Sequence, residues 1–127
     1  MVEAARPAAG QFLSRTLWLS LDPYLRNVMK GHALYGVPLK PGEPMHGETV
    51  AEVVESLHPQ FAVGDFVVVK NGWQQYALSD GQGVRKVDPQ LAPLPTALGV
   101  LGMRGLTGYA GLVYLGEPKP GETVLVS

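Results

Sequence analysis

The sequence predicts a mainly β domain with short helices, built as a small barrel or partly open sheet. Apolar residues recur mostly at a spacing of two as far as Val87, the period of a strand with one buried face. Sixteen glycines and eleven prolines among 127 residues stand well above the usual ~12% for the two together, and punctuate the chain at short intervals. Charged residues make up 17%, below the usual ~25%, which disfavours a solvated helical bundle. The length suits one domain around one core.

The first strand is expected where Leu13, Arg15, Leu17, Leu19 and Leu21 alternate with Phe12, Ser14, Thr16, Trp18 and Ser20. Asp22-Pro23 ends it. An aspartate N-cap followed by proline at the first helical position predicts a short helix over 24–29. The loop 32–44, with Gly36, Pro38, Pro41, Gly42 and Pro44, is too broken for regular structure, and loops of that length often form lids or binding walls.

Strand signals return over 49–55, turn at His58-Pro59, and resume at Phe66-Val67-Val68-Val69 after Val63-Gly64-Asp65. Two more are expected over 73–78 and 84–87, bounded by Asn71-Gly72, Asp80-Gly81 and Asp88-Pro89. Glycines at 99, 102, 105, 108 and 111 predict two closely packed short helices, 95–102 and 105–115, broken near Met103-Arg104. The apolar run Thr123-Val124-Leu125-Val126-Ser127 has the composition of a fully buried parallel strand.

Composition also excludes whole classes of function. Ten Lys and Arg against eleven Asp and Glu leave a net charge of −1, so no broad field gathers nucleic acid or anionic lipid. The absence of cysteine removes disulfides, thiolate nucleophiles, zinc knuckles and iron–sulfur clusters. The N-terminus lacks the apolar core of a signal peptide, and a cytoplasmic location is the default expectation. The nearly uncharged stretch 91–116 is long enough to span a bilayer, but Arg104 and the prolines at 93 and 95 argue against it.

Six segments carry a more specific signal: LSLDPYLR at 19–26, VVESLHPQFAVGD at 53–65, GWQQYALSDG at 72–81, VDPQLAPL at 87–94, GMRGLTGY at 102–109 and PKPGETVLVS at 118–127. In this order they resemble the zinc-free medium-chain dehydrogenase/reductases, in the branch of prostaglandin/leukotriene, curcumin and alkenal double-bond reductases. The resemblance implies a GroES-like partly open β-barrel over 1–117 that forms one wall of a substrate cleft. It also implies that 118–127 begins a Rossmann nucleotide-binding domain, so that the chain reads as the N-terminal piece of a reductase. The glycine-rich turn that would hold a pyrophosphate on a helix N-terminus does not occur in the sequence.

The chemistry implied is hydride transfer from NADPH to the β-carbon of an α,β-unsaturated ketone or aldehyde, with protonation at the α-carbon. That reaction asks the protein for positioning, a donor to the developing enolate oxygen and a proton source, without metal. By resemblance Tyr24 is the catalytic and substrate-binding residue, because a phenol can donate to an enolate oxygen. A core aromatic is its other reading. Trp73 matches an aromatic that lines the substrate site in the family, against the commoner role of cross-strand packing. Met103 and Thr107 resemble cofactor-binding positions that touch the nicotinamide ring, although Thr107 would also suit a helix cap near Leu106.

Two departures from the family stand out. Arg104 occupies a position that is usually proline and reads as a solvent-facing charge, or else a contact for an anion. His46-Gly47-Glu48-Thr49 replaces a run of glycines, and without cysteine His46 reads as a solvated or hydrogen-bonded residue rather than a metal ligand, as do His32 and His58. The implied partner is a small-molecule enone, with no nucleic acid or membrane, and a homodimeric parent is left open. The competing class is a stand-alone GroES-like binding module without catalysis.

Overall fold

The computed structural model describes residues 5–30 and 38–126, so His32 and the first part of the loop 32–44 lie outside the described residues. Among the described residues, five antiparallel strands form one sheet: β1 (Phe12–Leu19), β2 (Thr49–Ser56), β3 (Phe66–Val69), β4 (Tyr76–Ser79) and β5 (Arg85–Val87). Their spatial order is β4-β1-β2-β3-β5, with β4 and β5 at the edges among the described residues. The mainly β architecture expected from the sequence is therefore present.

Burial alternates along the central strands because successive side chains leave a strand on opposite faces. Val50 and Val68 point to one face and pack on Ala97 and Leu98 of a short 3-10 helix, Leu94–Leu98. Ala51, Val53, Val67 and Val69 point to the other and pack with Phe12 and Phe61. Being covered on both faces, β3 can be an unbroken apolar run. Phe12, Val50, Val53 and Val67 are fully buried, each contributing on the order of 1.5–3 kcal/mol.

Strand β1 departs from simple alternation. Phe12, Leu13 and Ser14 are buried in succession, whereas Leu19 and Leu21, expected on the core face, are exposed. The cause is pairing: β4 meets only Phe12 to Arg15, so the second half of β1 has β2 alone beside it. Register shifts between Leu13 and Ser14 and between Thr16 and Trp18 also rotate the alternation.

Asp22 begins the next element differently from expectation. Helix α1 (Leu25–Met29) follows Tyr24, and no side chain caps it. The backbone carbonyl of Asp22 accepts from Leu25 N at 3.0 Å, while its carboxylate turns away to Arg104. Helix α2 (Met103–Tyr109) starts where a break was expected, and continues as a wider π-helical segment, Ala110–Gly116. The interruption falls instead over 99–102, where Gly102 and Gly105 sit against the carbonyls of Ala97 and Val100 so closely that no Cβ would fit. Gly108 and Gly111 face open space, so close packing explains only part of the glycine series.

Residues 117–126 are exposed and join no strand of the sheet, and Leu125 is 92% exposed. The strand expected at 123–127 does not form among the described residues, because a parallel strand of that composition needs cover on both faces. Among the described residues, no helix is long and apolar enough to cross a membrane.

Candidate functional site

An open cleft of about 740 Å³ lies between α1, the segment 43–48 leading into β2, and the connection from β3 to β4. Tyr24, His46, Glu48, Asn71 and Gly72 all contribute to its wall. The segment before β2 is threaded into place by main-chain bonds: Ser20 N donates to Glu48 O at 3.0 Å, Gly72 N to Gly47 O at 3.3 Å, and Trp73 N to Met45 O at 2.7 Å. The wall is thus an irregular extension of β2, held between the end of β1 and the loop before β4.

Two glycines make that approach possible. Gly72 has φ +72°, and a Cβ there would lie 2.7 Å from Met45 O. A Cβ on Gly47 would lie 2.7 Å from the indole nitrogen of Trp73. Beside them, Asn71 Nδ2 donates to Ser14 Oγ at 2.7 Å, and Ser14 Oγ donates to Ala77 O at 3.3 Å. This polar chain anchors the cleft floor to β1 and β4.

Tyr24 is half-buried at the foot of α1. Burial pushes its phenol above the usual tyrosine value, and the carboxylates of Asp22 and Glu48 push it further in the same direction. Like any tyrosine at neutral pH, Tyr24 carries its phenolic proton and can donate a hydrogen bond.

Trp73 is not part of the same wall. It lines a smaller depression with Thr16 and Trp18, and meets the cleft wall from behind, through its main-chain bond to Met45 and the closeness of its indole to Gly47. Its buried Nε1 has no hydrogen-bond partner among the described residues. Met103 and Thr107 lie on α2, both exposed. Thr107 Oγ1 donates to Met103 O at 2.7 Å within the helix, so it does not cap a helix near Leu106.

The three histidines need separate accounts. His46 is exposed on the cleft wall, in keeping with its reading as a solvated residue. His58 is part of a ring cluster rather than solvated: its ring lies 4.9 Å from that of Phe61, and its Nδ1 accepts from Gln60 N at 3.1 Å. His32 lies outside the described residues. Among the described residues, no three of His, Asp and Glu converge in a way that could hold a metal ion.

Arg104 differs most from expectation. Its guanidinium does not point freely to solvent but pairs with the buried carboxylate of Asp22. Nothing short-range in the sequence could have signalled a partner 82 residues away.

Comparison with known proteins places these features in context. Residues 1–87 match the family model described as the N-terminal domain of oxidoreductase. The chain is 45% identical over 125 residues to the NADPH-dependent curcumin reductase of Escherichia coli (strain K12), covering 98% of this chain and 36% of that one. It is 46% identical over 121 residues to prostaglandin reductase 1 of Rattus norvegicus, covering 93% and 35%. Among solved structures, CurA from Vibrio vulnificus in complex with NADPH superposes with a TM-score of 0.85 at 41% identity, covering 96% of this chain and 36% of that one. The chain thus spans about a third of the length of these curated relatives.

Proposed function

Since the chain belongs to the family of N-terminal oxidoreductase domains, we propose that it is the substrate-side domain of an NADPH-dependent reductase acting on the C=C bond of α,β-unsaturated ketones or aldehydes. The observation that carries the proposal is the place of Tyr24, a phenolic hydrogen-bond donor on the wall of the cleft. The curcumin and prostaglandin reductases that resemble the chain along nearly all of its length support the same reading.

In this proposal the cleft takes the enone and Tyr24 donates to its carbonyl oxygen. As negative charge gathers on that oxygen the hydrogen bond strengthens, and such a bond stabilises the transition state more than the ground state. The bound NADPH supplies the hydride that adds to the β-carbon. Met103 and Thr107, exposed on α2, are the residues assigned to its nicotinamide end. Their exposure fits a role against a second surface, as does the absence of any buried residue on α2. The proton that completes the α-carbon comes from the solvent side of the open cleft. Trp73 acts through Gly47, packing the segment that bears His46 and Glu48.

The same proposal assigns 1–117 to the GroES-like domain and 118–127 to the start of a nucleotide-binding domain. The exposure of 117–126 and its separation from the sheet support that division. The test is a chimera in which these residues replace the matching third of the Vibrio vulnificus CurA. Enone-dependent oxidation of NADPH is the expected result; its absence in a folded chimera that binds NADPH would favour a binding module without catalysis.

A further inference from the structure

Arg104 is the second residue of α2, yet its side chain reaches three acceptors in two other parts of the chain. Nη1 donates to the carbonyl of Leu98, at the end of the 3-10 helix, at 2.6 Å. Nη2 donates to the hydroxyl of Ser20 at 2.8 Å and pairs with the carboxylate of Asp22. The two acceptors in the β1–α1 connection are buried, with the Asp22 side chain only 7% exposed, while the Arg104 side chain, 46% exposed, covers them from the solvent side.

The place of these partners matters. Asp22 lies two residues before Tyr24, and its carbonyl accepts the first main-chain bond of α1 from Leu25. Met103 and Thr107 flank Arg104 on α2. A planar guanidinium with several fixed donors can hold three acceptors in one geometry, which an ammonium on a flexible stem cannot.

We propose that Arg104 is a positioning residue whose guanidinium ties the first turn of α2 to the connection carrying Tyr24, and so fixes the substrate side of the site against the cofactor side. The inference rests on the reading of the cleft as an enone site. It assigns Arg104 no contact with substrate or cofactor. Its charge also offsets that of Asp22, one of the two carboxylates acting on the Tyr24 phenol.

The test joins two measurements. In the 127-residue chain, tyrosines labelled at the ring carbon bearing the hydroxyl are titrated by NMR. In the chimera, kcat and KM are measured separately. Arg104→Met is expected to raise the titration of Tyr24 alone, because Asp22 loses its counter-charge, and to lower kcat roughly tenfold with little change in KM for NADPH. Arg104→Lys should return the Tyr24 titration towards its starting point while leaving kcat low, since charge is restored without the fork.

An unchanged kcat in Arg104→Met, or an unmoved Tyr24 titration in that folded variant, would overturn the proposal. Should Arg104→Met fail to fold, Arg104→Lys decides: full kcat there contradicts a positioning role. A chimera that reduces no enone even with Arg104 present counts against the enone reading instead, and the Tyr24 titration then judges the Arg104 link by itself.

Discussion

The indole nitrogen of Trp73 stands where a side chain on Gly47 would begin, 2.7 Å from the position of its Cβ. The main-chain bond from Trp73 N to Met45 O, also 2.7 Å, holds the same two segments together. A residue chosen for its aromatic surface and one chosen for having none thus form a single contact behind the cleft wall.

Replacing either glycine of this wall should be costly, and unequally so. Gly47→Ala forces the indole to move, and overpacking of this kind costs about 1–3 kcal/mol. Gly72→Ala meets a main-chain carbonyl at 2.7 Å and must also hold φ at +72°, so neither relief is open to it. Thermal melts should rank the native chain above Gly47→Ala, and Gly47→Ala above Gly72→Ala. Tryptophan fluorescence should shift in Gly47→Ala, and equal stability of the two variants would contradict this picture of the wall.

The Asp65–Lys86 pair gives a pH dependence of known sign. Asp65 Oδ2 accepts from Lys86 Nζ at 2.6 Å and from Ala62 N at 2.8 Å, and these bonds, the Lys86 one foremost, lower its carboxyl below the usual value. A carboxyl depressed by folding stabilises the fold above the unfolded value of ~3.9, and that stability disappears as pH falls through the folded value. Asp65→Asn should therefore melt below the native chain at neutral pH, by the ~0.2–1 kcal/mol typical of exposed pairs. The difference should close in strong acid. A gap that persists there would assign the effect to packing instead of charge.

Much of the fold was legible because its signals are local. The double-faced run Phe66-Val67-Val68-Val69 and the turns at Gly64, Gly72 and Gly81, all with positive φ, announce strands and their ends within a few residues. The length of the buried part of β1 was not legible, since it depends on how far β4 reaches along it. In the site, Tyr24 could be picked out through its motif, which also contains Asp22, but the approach of Glu48, from the segment before β2, depends on the fold. Asp22 shows the limit most clearly. Its position before Pro23 reads as a helix cap, and a distant arginine claims the carboxylate instead.

The 127-residue chain by itself should bind NADPH weakly and not oxidise it. Met103 and Thr107 are assigned only to the nicotinamide end, and nothing in the sequence supplies the glycine-rich turn that cradles a pyrophosphate. Calorimetric titration provides the measurement. Micromolar affinity would mean that the cofactor is held by residues outside this account.

The central claim is that the Tyr24 hydroxyl serves the reaction at the enone oxygen, and its most direct measurement is kcat/KM of the chimera with Tyr24 against Tyr24→Phe. One transition-state hydrogen bond is worth on the order of 1.5–3 kcal/mol, so the variant should fall about ten- to a hundredfold while its melting temperature stays close to that of the parent. Full activity in Tyr24→Phe together with a melting temperature several degrees lower would contradict the account, and would make Tyr24 a packing residue of α1.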